Sequence, residues 1–146
     1  MTAIAEKWLP STRAGNPVTL MTTELDSLGT TGTATSSAID NDADHDTLVD
    51  LELVITYPSA PTANSVIECY VVRQVDGSNF EDVPPADGFV GAFVLSASTS
   101  AQRRIIRNVL LPPGDFKIHV IAKTTGQTAA SSGNTIKGNF YGLQAI

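Results

Sequence analysis

The feature that most constrains this chain is its punctuation. Between residues 47 and 142, short runs rich in Val, Ile and Thr are broken about every 10–15 residues by clusters of Gly, Pro, Asn, Asp and Ser. The breaks are YPSAPTAN (57–64), DGSN (76–79), PPADG (84–88), PPGD (112–115) and TTGQTAASSG (124–133). Turn signals recurring at this spacing between Val/Ile/Thr-rich runs are the signature of a β-sandwich or jelly roll.

The runs themselves read as strands. In TLVDLELVITY (47–57), Val49, Leu51, Leu53, Ile55 and Tyr57 alternate with Asp50, Glu52 and Thr56, the period of a half-buried strand. VIECYVVRQV (66–75) is apolar on both faces, as in a central strand covered on both sides or a subunit contact. VTLMT (18–22), FVGAFVL (89–95), RRIIRNVLL (103–111), FKIHVIAK (116–123) and NTIKGNFYG (134–142) complete the set. The pattern predicts an all-β fold, a jelly-roll-like β-sandwich, with an immunoglobulin-like sandwich as the alternative. No internal repeat and no strand–helix alternation is visible.

Composition agrees. At 146 residues the chain suits one domain that removes roughly 70% of its unfolded surface from water. Seventeen Thr and 12 Ser take the place of charges, which fall to 16% against a usual ~25%. Residues 1–35 read as an N-terminal arm and a Thr/Gly-rich loop ahead of a sandwich domain, 36–146. Pro10, Gly15 and Pro17 interrupt the arm, residues 23–29 suit one helical turn, and 29–37 a flexible loop. Ile4, Trp8 and Leu9 form its one apolar patch. Trp8 either caps the domain's own core or anchors the arm on a neighbour.

Charge is unevenly placed. Residues 1–100 hold three cations and 14 acids, residues 101–146 six cations and one acid, and the net is −6. An acidic balance argues against nucleic acid as a partner. The split has two readings: acidic and basic strands alternate and neutralise each other, or the surface is polarised for docking. Arg103, Arg104 and Arg107 share the second reading, since arginine beside exposed isoleucine suits protein contact. The alternative is a sheet edge protected by charge.

Catalytic equipment is scarce. Asp40, Asp42 and Asp44 have the one-three-five spacing of a calcium loop, but the position that needs Gly is His45 and the twelfth residue is Leu51, so an exposed acidic loop is expected. His119 lies on a strand between Lys117 and Lys123, which suggests a solvated or docked face. No GxSxG, GxxxxGK[ST] or CxxC occurs, and two distant histidines make no metal site. No catalytic, cofactor-binding or metal-binding residues are assigned, and no enzyme is expected. Cys69 reads as a small buried hydrophobe. The N-terminus lacks a signal-peptide core and no run reaches a membrane span, so synthesis in a reducing cytoplasm is expected, without membrane partners.

From about residue 36 onward the order of segments resembles a family of small virion structural proteins of tailed bacteriophages. The matching pieces are AIDN, DLELV, VDGSNFED, GFVGAFVL, LPPGDFK and ASSGNTIK, across about 110 of the 146 residues. The resemblance implies a capsid decoration (cement) protein that binds the outside of the major capsid protein lattice and stabilises the head. It implies a location on the capsid surface and self-association, commonly as trimers and sometimes as dimers. It supplies no catalytic residues. A tail or neck component, or a surface receptor- or glycan-binding module, are the rival readings. Ile4, Trp8, Leu9, Arg103, Arg104 and Arg107 are the interface candidates.

Overall fold

A computed structural model of the chain describes residues 5–145. The described residues form nine strands: β1 (Glu6–Pro10), β2 (Val18–Met21), β3 (Thr33–Thr35), β4 (Leu48–Ile55), β5 (Val66–Arg73), β6 (Phe89–Val94), β7 (Gln102–Leu110), β8 (Phe116–Lys123) and β9 (Thr135–Ala145). One 3-10 turn, Thr23–Leu25, stands where a helical turn was expected.

The strands make two antiparallel sheets. One runs β1-β9-β4-β7, with β2 following β1 along the same edge of β9, and the other runs β3-β8-β5-β6. Taken as one interrupted strand, β1 and β2 give eight strands shared four and four between the sheets. That order is the double Greek key of a jelly roll, which decides against the immunoglobulin-like alternative.

Period-2 patterning builds the core. Val49, Leu51, Leu53 and Ile55 of β4 point inward and are fully buried. They meet Ile67, Cys69 and Val71 of β5, Phe116, Ile118 and Val120 of β8, and Ile136 and Phe140 of β9. Each large apolar side chain taken out of water contributes about 1.5–3 kcal/mol. Gly138 is the inward residue between the last two. A Cβ there would stand 2.9 Å from Leu20 and Val49, so the packing leaves no room for one. β5, apolar on both faces, is central in its sheet, between β8 and β6.

The expectation of an arm is corrected. Over its described part, the segment 1–35 enters both sheets: β1 and β2 line β9, and β3 pairs with β8. The loop expected at 29–37 contains β3, and Trp8 lies within β1. Three-residue and proline-flanked strands are too short to show a period; the long edge of β9 recruits β1 and β2, and the edge of β8 recruits β3. Ile4 lies outside the described residues.

Candidate functional site

Strand direction sorts the charges by end. The β3–β4, β5–β6 and β7–β8 connections lie at one end of the sandwich, where Ile39 pairs with Phe116 and Leu111 bonds Thr47. They carry Asp40, Asp42, Asp44, Asp46, Asp76, Glu81, Asp82, Asp87 and Asp115, nine of the 15 acids, and no Lys or Arg. The strands carry eight of the nine cations.

The ninth cation, Arg13, organises the acidic loop. Its Nε donates to Asp46 Oδ2 at 3.0 Å, and its terminal nitrogens reach the Asp40 carbonyl and Asn41 Oδ1, with Asp44 3.5 Å away. The guanidinium lies 4.1 Å from the centroid of the buried Phe140 ring. Ser11 Oγ also donates to Asp46, and Asn41 ties the loop together through the Asp46 backbone and the Pro112 carbonyl. The inward partner of DNDADHD is therefore an arginine from the β1–β2 connection. Among the described residues no three His, Cys, Asp or Glu side chains come together as a set able to hold a metal ion.

Of the exposed large apolar side chains among the described residues, Trp8, Ile105, Leu110 and Leu143 lie on the outer face of the five-stranded sheet, whereas Val75 and Val83 lie in the β5–β6 connection and Phe89 and Val94 on β6. β9 outruns β4: the last β9–β4 pair is Tyr141 with Leu48, while β1 follows β9 to Ala145. The overhanging β1–β9 ribbon sets Trp8 opposite Leu143, about half exposed each, and Trp8 packs edge-on against Tyr141 at 6.0 Å. One row inward, Tyr141, Leu48 and Leu110 follow one another across β9, β4 and β7. Leu110 is 68% exposed. Trp8 thus does not cap the core of its own domain; Arg13 covers that edge instead. Leu9 is half-buried beside it.

Further along the same face lies a groove of about 630 Å³ lined by Pro17, Asp50, Glu52, Ile105, Arg107, Lys137 and Asn139. At its head the Tyr141 hydroxyl bonds Asp50, 3.2 Å away, and Asn108. Burial, with the Asp50 charge next, raises the pKa of that phenol above its ordinary value.

The structure separates the three β7 arginines. Arg103 pairs with Glu52 at 2.6 Å. Arg104 folds over the sandwich edge to the Val94 carbonyl and Ser96 Oγ, joining β6 to β7. Arg107 is exposed in the groove, next to the left-handed Asn108 of a β-bulge. Acidic β4 lies between basic β7 and β9, with Glu52 in register with Lys137. On this face the alternating-charge reading holds, and polarity runs instead from strands to loops.

Two sequence expectations concern buried groups. His119 does point outward with Lys117, but it is 3% exposed rather than solvated. Thr35 Oγ1 lies 2.7 Å from its Nδ1 and Tyr70 stacks obliquely beside it, so β3 and β5 cover the ring. Burial lowers its pKa, and Nε2 has no hydrogen-bond partner among the described residues. Cys69 is fully buried, which pushes its thiol up to about 12.

No family model and no curated protein matches this chain. Among solved structures it is similar to the CBM36-1 domain of a multidomain xylanase from the hindgut metagenome of Trinervitermes trinervoides. That likeness has 13% identity and a TM-score of 0.49, over 97% of this chain and 100% of the other. TmCBM61, solved with β-1,4-galactotriose, is similar at 12% identity and a TM-score of 0.34, over 82% of this chain and 67% of the other. The N-terminal cellulose-binding domain of Cellulomonas fimi β-1,4-glucanase C follows at 12% and 0.32, over 95% and 88%. At these values none of them bears on a residue or a ligand of this chain.

Proposed function

We propose that this chain is a non-catalytic structural protein of a tailed-phage virion, a decoration protein that binds the outer surface of the major capsid protein lattice. The observation that carries the reading is the apolar patch at the end of the five-stranded sheet, where Trp8 and Leu143 stand about half exposed and Leu110 more. Side chains of this size, grouped on one face beside charged neighbours, fit a protein partner. The resemblance of the chain's segments to virion proteins supports the same reading, and names the capsid as partner and the head surface as location. Jelly rolls serve viral capsids and lectins alike, so the fold does not choose between partners.

The test is to add purified protein to heads assembled without it and to pellet the particles. Saturable binding, with density on the outer capsid surface by cryo-electron microscopy, supports the reading. Absence of binding, or density on tail or neck, overturns it.

A second reading, a glycan-binding surface module, is favoured by the groove. Asp50, Glu52, Arg107 and Asn139 offer planar hydrogen-bonding groups beside Ile105 and Tyr141. Calorimetry against a panel of soluble oligosaccharides distinguishes it. Binding abolished by Asn139→Ala and Arg107→Ala, with no binding to heads, would put this reading first.

A further inference from the structure

We propose that the groove on the outer face of the five-stranded sheet takes an acidic saccharide, an oligomer of uronic acid residues, in preference to a neutral one. The inference rests on the glycan-binding reading of that groove and names its ligand class. Asp50 and Glu52 stand on β4, between β9 and β7, and one oxygen of each is already held. Asp50 Oδ1 accepts from the Asn108 amide at 2.9 Å and meets the Tyr141 hydroxyl at 3.2 Å. Glu52 Oε1 accepts from Arg103. Among the described residues the second oxygen of each carboxylate has no partner, and both residues line the groove. Arg107 on β7 and Lys137 on β9 flank them, exposed, and form no ion pair among the described residues. Counting Arg103, three cations meet two carboxylates there, an excess of positive charge on a chain whose net is −6.

A ligand that satisfies this mixture needs an anionic group for the two cations. It also needs hydroxyl donors for the free oxygens of Asp50 and Glu52. A uronic acid carries both on one ring. The guanidinium fork of Arg107 matches a planar carboxylate through two parallel hydrogen bonds. Ile105, half exposed and in register with Glu52, gives the apolar C–H face of a ring a surface to lie on. The groove's volume of about 630 Å³ is that of a small-ligand cleft. A neutral saccharide leaves both cations without a partner. A dense polyanion meets Asp50 and Glu52 between them, where like charge repels it. An acidic peptide brings carboxylates but few hydroxyls.

Calorimetry on the full chain tests the proposal. The probes are oligomers of galacturonic, glucuronic, mannuronic and guluronic acid, each beside its methyl-esterified form, with a neutral glucose oligomer, polyphosphate and polyglutamate. At least one uronate oligomer should bind, and esterification or added salt should weaken it, the former by about tenfold or more. Arg107→Ala and Lys137→Ala, at exposed positions, should each cost a similar factor with an unchanged thermal transition. Arg107→Lys, which keeps the charge and loses the fork, should fall between wild type and Arg107→Ala. Glu52→Gln should admit polyphosphate that the wild type rejects. Equal binding of acid and ester, or tighter binding of the neutral oligomer, would overturn the inference and leave the glycan reading standing. Binding of no saccharide, or tighter binding of polyglutamate or polyphosphate, would overturn both.

Discussion

At the scale of the residue, Arg13 shows how a single side chain changes what a motif means. By spacing alone, four aspartates in seven residues resemble a loop waiting for a cation. The cation is supplied internally, 10% exposed, against Asp46 at 6%. Removing one partner of a buried pair leaves the other charge stranded, at about 3–5 kcal/mol. Arg13→Ala should lower stability by roughly that amount in urea denaturation, whereas calcium should not shift the transition of the wild type. His119 gives a pH signature. Its folded pKa lies below the ordinary histidine value, so the native state binds fewer protons than the unfolded one. Its contribution is fully present above the unfolded value of about 6.5 and is lost as pH falls below it. In His119→Gln the denaturation midpoint should fall less than in wild type between neutral and mildly acidic pH. Cys69 should resist maleimide in the native state and react on unfolding, since a thiol at about 12 offers little thiolate.

The elements were legible where a strand carries its own period. The seven runs beginning at 18, 47, 66, 89, 103, 116 and 134 all form strands. The two that escaped notice, β1 and β3, are five and three residues long, and tertiary pairing with β9 and β8 holds them rather than their own pattern. The site was legible in part. Of the residues read as interface candidates, Trp8 and Arg107 stand exposed, Arg103 makes a surface pair with Glu52, and Arg104 bonds the β6–β7 edge. Leu110, Leu143 and Tyr141 carried no signal in sequence, because an apolar residue on a strand announces burial and only the register shows that these three point to the outer face. The loop acids were visible, but their gathering at one end follows only from strand direction. Truncation separates the parts of the N-terminal segment. Deleting residues 1–9 should leave the jelly roll folded while removing the ribbon's Trp8. Deleting residues 1–15 also removes Arg13 and should destabilise the domain, read by thermal unfolding.

For the whole molecule, the jelly roll's interior is apolar, nine of its 15 acids close one end, and Trp8, Leu110 and Leu143 stand exposed beside that end. Charge runs from strands to loops, so association steered by it weakens as salt rises. Among the described residues no helix is long and apolar enough to cross a membrane. The central claim is that this face binds a protein surface on the virion head. The most direct measurement is occupancy on heads assembled without the protein, by cryo-electron microscopy, for wild type and for Leu110→Glu with Trp8→Ala. The account predicts wild-type density on the outer capsid surface, and its loss in the folded double variant. Full occupancy by that variant, or no binding by the wild type, would contradict it.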